Sequence, residues 1–183
     1  MADRSRIIYL LNYYADKYRV PRPYVHAIAR IESGHQQLRD GRTITSSAGA
    51  LGVMQLMPVT ARGLGVNPHN VEENIEGGVR YFRQRLDLSG GNPNTAIAMY
   101  YAGVGNVRNR NAMQWDGVQR YIRNFNALIN NSEIKAMAGG RASAREVVES
   151  QPDITNIGNN QEQVFLIIVG LIIGIIIIVN FFS

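Results

Sequence analysis

The chain contains no cysteine, which excludes disulfide bonds and thiolate-ligated metal centres. Histidine is scarce too. His26, His35 and His69 are the three present, their spacings match no metal-ligand motif, and they read as surface or capping residues. No metal and no other cofactor is therefore expected. Lysine is almost missing: only Lys17 and Lys135 occur, so the net charge of +5 is carried by arginine. Arg80, Arg83, Arg85, Arg108, Arg110, Arg120 and Arg123 suit an anionic polymer or anionic lipid, or simply solvated faces. No nucleic-acid-binding motif accompanies them, and no nucleic-acid partner is expected. No internal repeat is present, and 183 residues suit one domain with a single core.

Among what is present, Glu32 stands out. The stretch from Pro23 to Ser33 predicts a helix with proline at its first position. Val25, Ile28 and Ala29 form an apolar stripe, and Glu32 takes the next position on it. His26, Arg30 and Ser33 are expected on the opposite, wetter side. A carboxyl on an apolar face loses hydration, which raises its pKa and suits it to general acid catalysis near neutrality. Taken alone, the position fits a frayed, exposed helix-end glutamate better, since such residues are common.

Four further blocks follow in order: G-A-L-G-V-M-Q-L-M-P at Gly49–Pro58, N-I-E-G-G-V-R-Y at Asn74–Tyr81, A-M-Y-Y-A-G-V-G-N-V at Ala98–Val107, and R-Y-I-R-N at Arg120–Asn124. Gly49 and Gly52 allow close backbone approaches beside a carboxyl. Gln55 offers an uncharged donor and acceptor to sugar hydroxyls and acetamido groups. Met54 and Met57 present soft apolar surface, although methionine at helical spacing is often plain core. Tyr100 and Tyr121 combine an apolar ring with a hydroxyl, which suits cleft lining or packing.

Together with the Glu32–Ser33 pair, these blocks resemble the soluble-lytic-transglycosylase family of peptidoglycan-cleaving enzymes, over roughly residues 21–125. The resemblance implies a mainly α, lysozyme-like (goose-type) fold with peptidoglycan strands as substrate. It implies that Glu32 is the catalytic residue and that Ser46, Gln55, Met57, Tyr100 and Tyr121 contact the glycan. Three departures stand out. Tyr101 occupies the place where the family usually has asparagine. The loop from Gly34 to Thr45 is several residues longer than the family pattern. Gly117, next to Asp116, stands where many members carry a glutamate.

The periodicity predicts helices over Arg6–Tyr18, up to Glu32, from Asn70 onward with Asn70 and Glu73 as a capping box, over Asn94–Tyr101, and over Val118–Asn130. Between Glu32 and Pro58 a long loop is expected, with at most short strands at Thr43–Ile44 and Val53–Leu56. The organisation is read as a lysozyme-like domain over 1–138, a polar linker over 139–163 with a short helix at Ala142–Glu149, and a transmembrane anchor over 164–182. Val164 to Phe182 carries no charge and would span roughly 28 Å as a helix, close to the hydrocarbon thickness of a bilayer. Gly170 and Gly174 form a small-xxx-small pair compatible with self-association.

The amino terminus has too short an apolar run for a secretory signal. A cell-wall enzyme of this layout is expected to be a bacteriophage protein. The favoured location is a virion membrane with delivery to the host periplasm, and the alternative is late release through a permeabilised host membrane. Two function classes are weighed. The first is a lytic transglycosylase using one carboxyl, with a goose-type lysozyme as the hydrolytic variant; Asp40 is the only partner carboxyl in the loop after Glu32 and sits in a polar turn. The second is a non-catalytic peptidoglycan-binding virion protein, which the presence of Glu32 disfavours.

Overall fold

A computed structural model describes residues 4–140. Eight α-helices and one short β-hairpin are found among them: α1 Arg4–Lys17, α2 Arg22–Ser33, β1 Leu38–Arg39, β2 Arg42–Thr43, α3 Pro58–Leu64, α4 Val71–Leu88, α5 Pro93–Ala102, α6 Val104–Asn109, α7 Asp116–Ile129 and α8 Ser132–Gly139, with a 3₁₀ turn at Ala112–Gln114. The mainly α expectation holds. The expected span at 164–182 and the expected helix at Ala142–Glu149 lie outside the described residues. Among the described residues no helix is long and apolar enough to cross a membrane.

The core forms where the apolar stripes of α1, α2, α4, α5 and α7 meet. Phe82 on α4 and Phe125 on α7 are wholly buried, and Tyr24 on α2 meets both rings edge-on at 6.4 and 5.3 Å between centroids. Such edge-to-face pairs add about 0.5–1.5 kcal/mol beyond burial. Helix α2 lies between α1, α7 and α8, so its far end, where Glu32 stands, is fixed from several sides.

Helix boundaries follow local chemistry. Pro23 is the second residue of α2, one place later than expected, and Gly34 ends the helix in a left-handed conformation at φ 67°. Asn70 caps α4 by accepting from the amides of Glu72 and Glu73. The capping box is only half formed, because the Glu73 carboxylate turns outward to the Asn67 amide at 2.8 Å. The lengthened loop after α2 is a hairpin whose turn, Asp40–Gly41, has φ 53° and 75°. Two left-handed residues are what a two-residue turn needs to match strand twist. Val53–Leu56 is not a strand; Leu51 and Leu56 pair as a single bridge closing a tight turn over residues 52–55.

The histidine expectation is corrected. His26 and His35 are 0% and 1% exposed, while His69 is exposed and meets the Thr43 hydroxyl. The face of α2 expected to be wet is covered around His26 by α1 and α8, while Arg30 on the same face is exposed. The Asn12 amide donates to the carbonyl of Met137 at 2.9 Å, and more weakly to that of Gly140. Its oxygen therefore accepts from His26 Nε2 at 2.9 Å, and His26 Nδ1 accepts from His35 Nε2 at 3.4 Å. This relay joins α1, α2 and α8. Burial lowers the pKa of His26 to about 3 and of His35 to about 4, so both rings are neutral.

Candidate active site

The site is built around the turn at residues 52–55, whose two central residues have their backbone groups held by four side chains. The Val53 amide donates to Gln37 Oε1 at 3.0 Å, and the Val53 carbonyl accepts from the Ser33 hydroxyl at 2.9 Å. The Met54 amide donates to Asn74 Oδ1 at 2.8 Å, and the Met54 carbonyl accepts from the Tyr100 hydroxyl at 2.7 Å. These partners come from the end of α2, the segment after it, α4 and α5. A buried irregular segment must find partners for its backbone groups, and here they are supplied by side chains rather than by a sheet. Gly52 is required by space as well as by its φ of 74°: a Cβ there would lie 2.5 Å from Asn74 Nδ2 and 2.6 Å from Gln37 Oε1.

Glu32 stands one residue before Ser33, half-buried against this turn. Its Oε1 accepts a short hydrogen bond from the Tyr121 hydroxyl on α7. Desolvation raises its pKa to about 7, opposed by the Tyr121 hydrogen bond. Among the described residues no second carboxylate is among the causes acting on it. Asp40, the candidate partner, sits in the exposed hairpin turn. Tyr100 and Tyr121 are both raised well above the usual phenol value, by burial first and then by the Glu32 charge. Each therefore stays a neutral hydroxyl donor beside the acid.

The structure brings Glu32, Tyr100 and Tyr121 together. Gln55 serves its own loop: its amide nitrogen donates to the carbonyls of Gly52 at 2.8 Å and Ile44 at 3.3 Å, which leaves Oε1 as the free atom. The Ser46 hydroxyl accepts from the Ala50 amide at 3.0 Å and shapes the approach to the turn. Met57 is exposed at the start of α3. An open depression of about 390 Å³ lies on the hairpin, lined by Arg39, Asp40, Arg42, Thr43, Ile44 and Thr45, and includes neither Glu32 nor any of the candidate glycan contacts.

Sequence reasoning missed Gln37 and Asn74 as supports. Asn74 is fully buried and its amide also donates to the carbonyls of Leu51 and Pro68. Its signal was weak: at 100° per residue Asn74 lies on the flank of the stripe formed by Ile75, Val79, Phe82 and Leu86, where a polar residue breaks no pattern. Gln37 gave none, because it lies in a loop without periodicity. Ser33 was placed on the wet side and instead ties the end of α2 to the turn.

Comparison with known proteins bears on the family and the fold. The family model described as transglycosylase SLT domain matches residues 9–122. The transglycosylase of Enterobacteria phage PRD1 is 42% identical over 89 residues, which make up 48% of this chain and 33% of that relative. Among solved structures, the lytic transglycosylase Slt of Pseudomonas aeruginosa, determined as an inactive mutant, is similar with a TM-score of 0.59 at 24% identity, over 73% of this chain and 25% of that one. The 70 kDa soluble lytic transglycosylase of Escherichia coli gives a TM-score of 0.60 at 25% identity, over 73% of this chain and 24% of that one. The chain thus spans about a third of the phage relative and about a quarter of the two solved proteins.

Proposed function

Because the chain belongs to the transglycosylase SLT domain family, we propose that it is a peptidoglycan lytic transglycosylase with Glu32 as its single catalytic carboxyl. The observation that carries this reading is a desolvated carboxyl with a pKa of about 7, gripped by a tyrosine hydroxyl and without a second carboxylate acting on it among the described residues. Glycosidases that hydrolyse usually pair two carboxylates across the scissile bond. One carboxyl suffices when the substrate supplies the nucleophile.

Glu32 protonates the glycosidic oxygen between N-acetylmuramic acid and N-acetylglucosamine as its bond to C1 breaks. The resulting carboxylate, supported by the Tyr121 hydroxyl, then takes the proton of the muramoyl C6 hydroxyl while that oxygen bonds to C1. The acid is regenerated and a 1,6-anhydro end is formed without water. A pKa near 7 serves both halves, since the group must give a proton and then accept one. Gln55 Oε1, Met57 and the edge of Ser46 provide the glycan contacts, and Tyr100 fixes the turn that bears Gln55.

Mass spectrometry of purified peptidoglycan after digestion tests the reading. An anhydro-muramoyl product is expected. A reducing muramic end would make the protein a goose-type hydrolase, and binding without cleavage would leave it a wall-binding protein. The same reading extends to the rest of the chain: a catalytic domain over 1–138, a polar linker over 139–163, and a membrane anchor over 164–182. The phage source of the relative supports a phage role; within it we favour host-wall penetration from a virion membrane over late lysis, on the layout of the chain alone.

A further inference from the structure

Two consecutive tyrosines leave the end of α5 in different directions. Tyr100 reaches the turn at Met54, as described. Tyr101 is 51% exposed, yet its ring lies 4.9 Å from that of Tyr121, tilted by 35°. Tyr121 itself is only 6% exposed and holds Glu32. Beneath the phenol end of Tyr101 lies Gly117, in the first turn of α7. A Cβ at this position would sit 3.1 Å from the Tyr101 hydroxyl oxygen and 3.6 Å from Cε1. A side chain larger than hydrogen at 117 would thus compete with Tyr101 for one space.

We propose that Tyr101 is a positioning residue for Glu32: seated over Gly117, it covers Tyr121 and shields the Tyr121–Glu32 pair from water. The inference rests on the reading of Glu32 as the catalytic acid. Two effects act on Glu32 and have opposite signs, burial raising its pKa and the Tyr121 hydrogen bond lowering it. The titratable groups beside it are Tyr121 from α7 and Tyr100 from α5, and among the described residues no charged side chain shifts it. Removing a cover admits water and moves the acid down towards its ordinary range. Removing a mere aiming contact would free Tyr121 from Glu32 and move the acid up. The sign separates the two.

The test compares Tyr101→Ala, Tyr101→Phe and Gly117→Leu in the full chain, with thermal melting and pH–rate profiles on purified peptidoglycan. Tyr101→Ala is expected to lower kcat roughly tenfold at neutral pH. The basic limb of its profile should move to lower pH by about one unit, with KM little altered. Tyr101→Phe keeps the ring and should retain the profile. Gly117→Leu, which displaces Tyr101 without removing it, should reproduce the Tyr101→Ala shift, and it carries the test if Tyr101→Ala does not fold. A basic limb that stays or moves upward in both Tyr101→Ala and Gly117→Leu overturns the proposal, as does an effect confined to KM. Wild-type turnover by Glu32→Gln would overturn the underlying assignment of the acid instead.

Discussion

At the scale of single residues, Glu32 carries opposite consequences for stability and for catalysis. Its folded pKa of about 7 exceeds the ordinary 4.5, so the folded protein binds more protons than the unfolded chain between those values. Stability from this group therefore falls as pH rises from about 4.5 to 7 and stays low above 7. Glu32→Gln removes the penalty while keeping shape and hydrogen bonding. It should melt at a higher temperature than wild type at pH 8, with the difference vanishing near pH 4, while cleavage falls by roughly 10²- to 10⁴-fold. Equal melting temperatures at pH 8 would show that the carboxyl is well solvated. Tyr100→Phe and Gln55→Ala should slow cleavage far less, roughly tenfold, because each shapes the turn rather than moving a proton. Unchanged rates in both variants would reduce them to packing residues. The position of Glu32 was legible in the sequence because an acid on an apolar stripe breaks a pattern. The grip of Tyr121 was not, since it joins residues 89 apart and no local pattern encodes it.

At the scale of elements, the turn at residues 52–55 has a conformation imposed from outside. Asn74→Ala leaves the buried Met54 amide without its acceptor, while the carbonyls of Leu51 and Pro68 keep the Leu56 amide and the Gln37 side chain. It should destabilise by about 1–3 kcal/mol, readable in urea melts. Asn74→Asp keeps the acceptor for the Met54 amide but buries a carboxyl against the carbonyls of Leu51 and Pro68, so it should destabilise at least as much as Asn74→Ala. If Asn74→Ala melts like wild type, water replaces the amide and the turn is less closed than described. The His26–His35 relay gives a second element-scale expectation. Both pKa values are depressed, so the relay's stability is present above about pH 6.5 and lost as pH falls through 4 towards 3. His35→Asn suits the left-handed φ of 62° at that position and removes one titrating ring. Its melting temperature should fall less steeply between pH 6.5 and 4 than that of wild type. Long helices with clear stripes were legible at this scale to within a few residues. Short α3, α6 and α8 were not, because six to eight residues hold too few turns to show a period. The buried face of α2 was misread because a histidine pattern cannot reveal that Asn12, on another helix, will satisfy it.

At the scale of the whole molecule, the question is where the catalytic unit ends. The sequence suggests an edge after residue 138, at the Gly139–Gly140 pair. The contacts argue for a slightly later cut: Arg22 donates to the Ala138 carbonyl at 3.0 Å, and Asn12 reaches both Met137 and Gly140. A chain ended after Ala138 would trim Gly139, the last residue of α8, and the Gly140 carbonyl at the outer end of the relay. One ended after Gly140 keeps every described hydrogen bond. The second should be soluble, melt cooperatively and cleave peptidoglycan at the rate of the full chain per molecule in free solution. The full chain should instead float with phospholipid vesicles in a density gradient, held by residues 164–182, whose apolar run is long enough to cross the hydrocarbon layer. An inactive but folded 1–140 chain would place part of the catalytic machinery in the tail. A full chain that stays with the aqueous fraction in the presence of vesicles would remove the anchor, and the apolar segment would then have to be buried against protein.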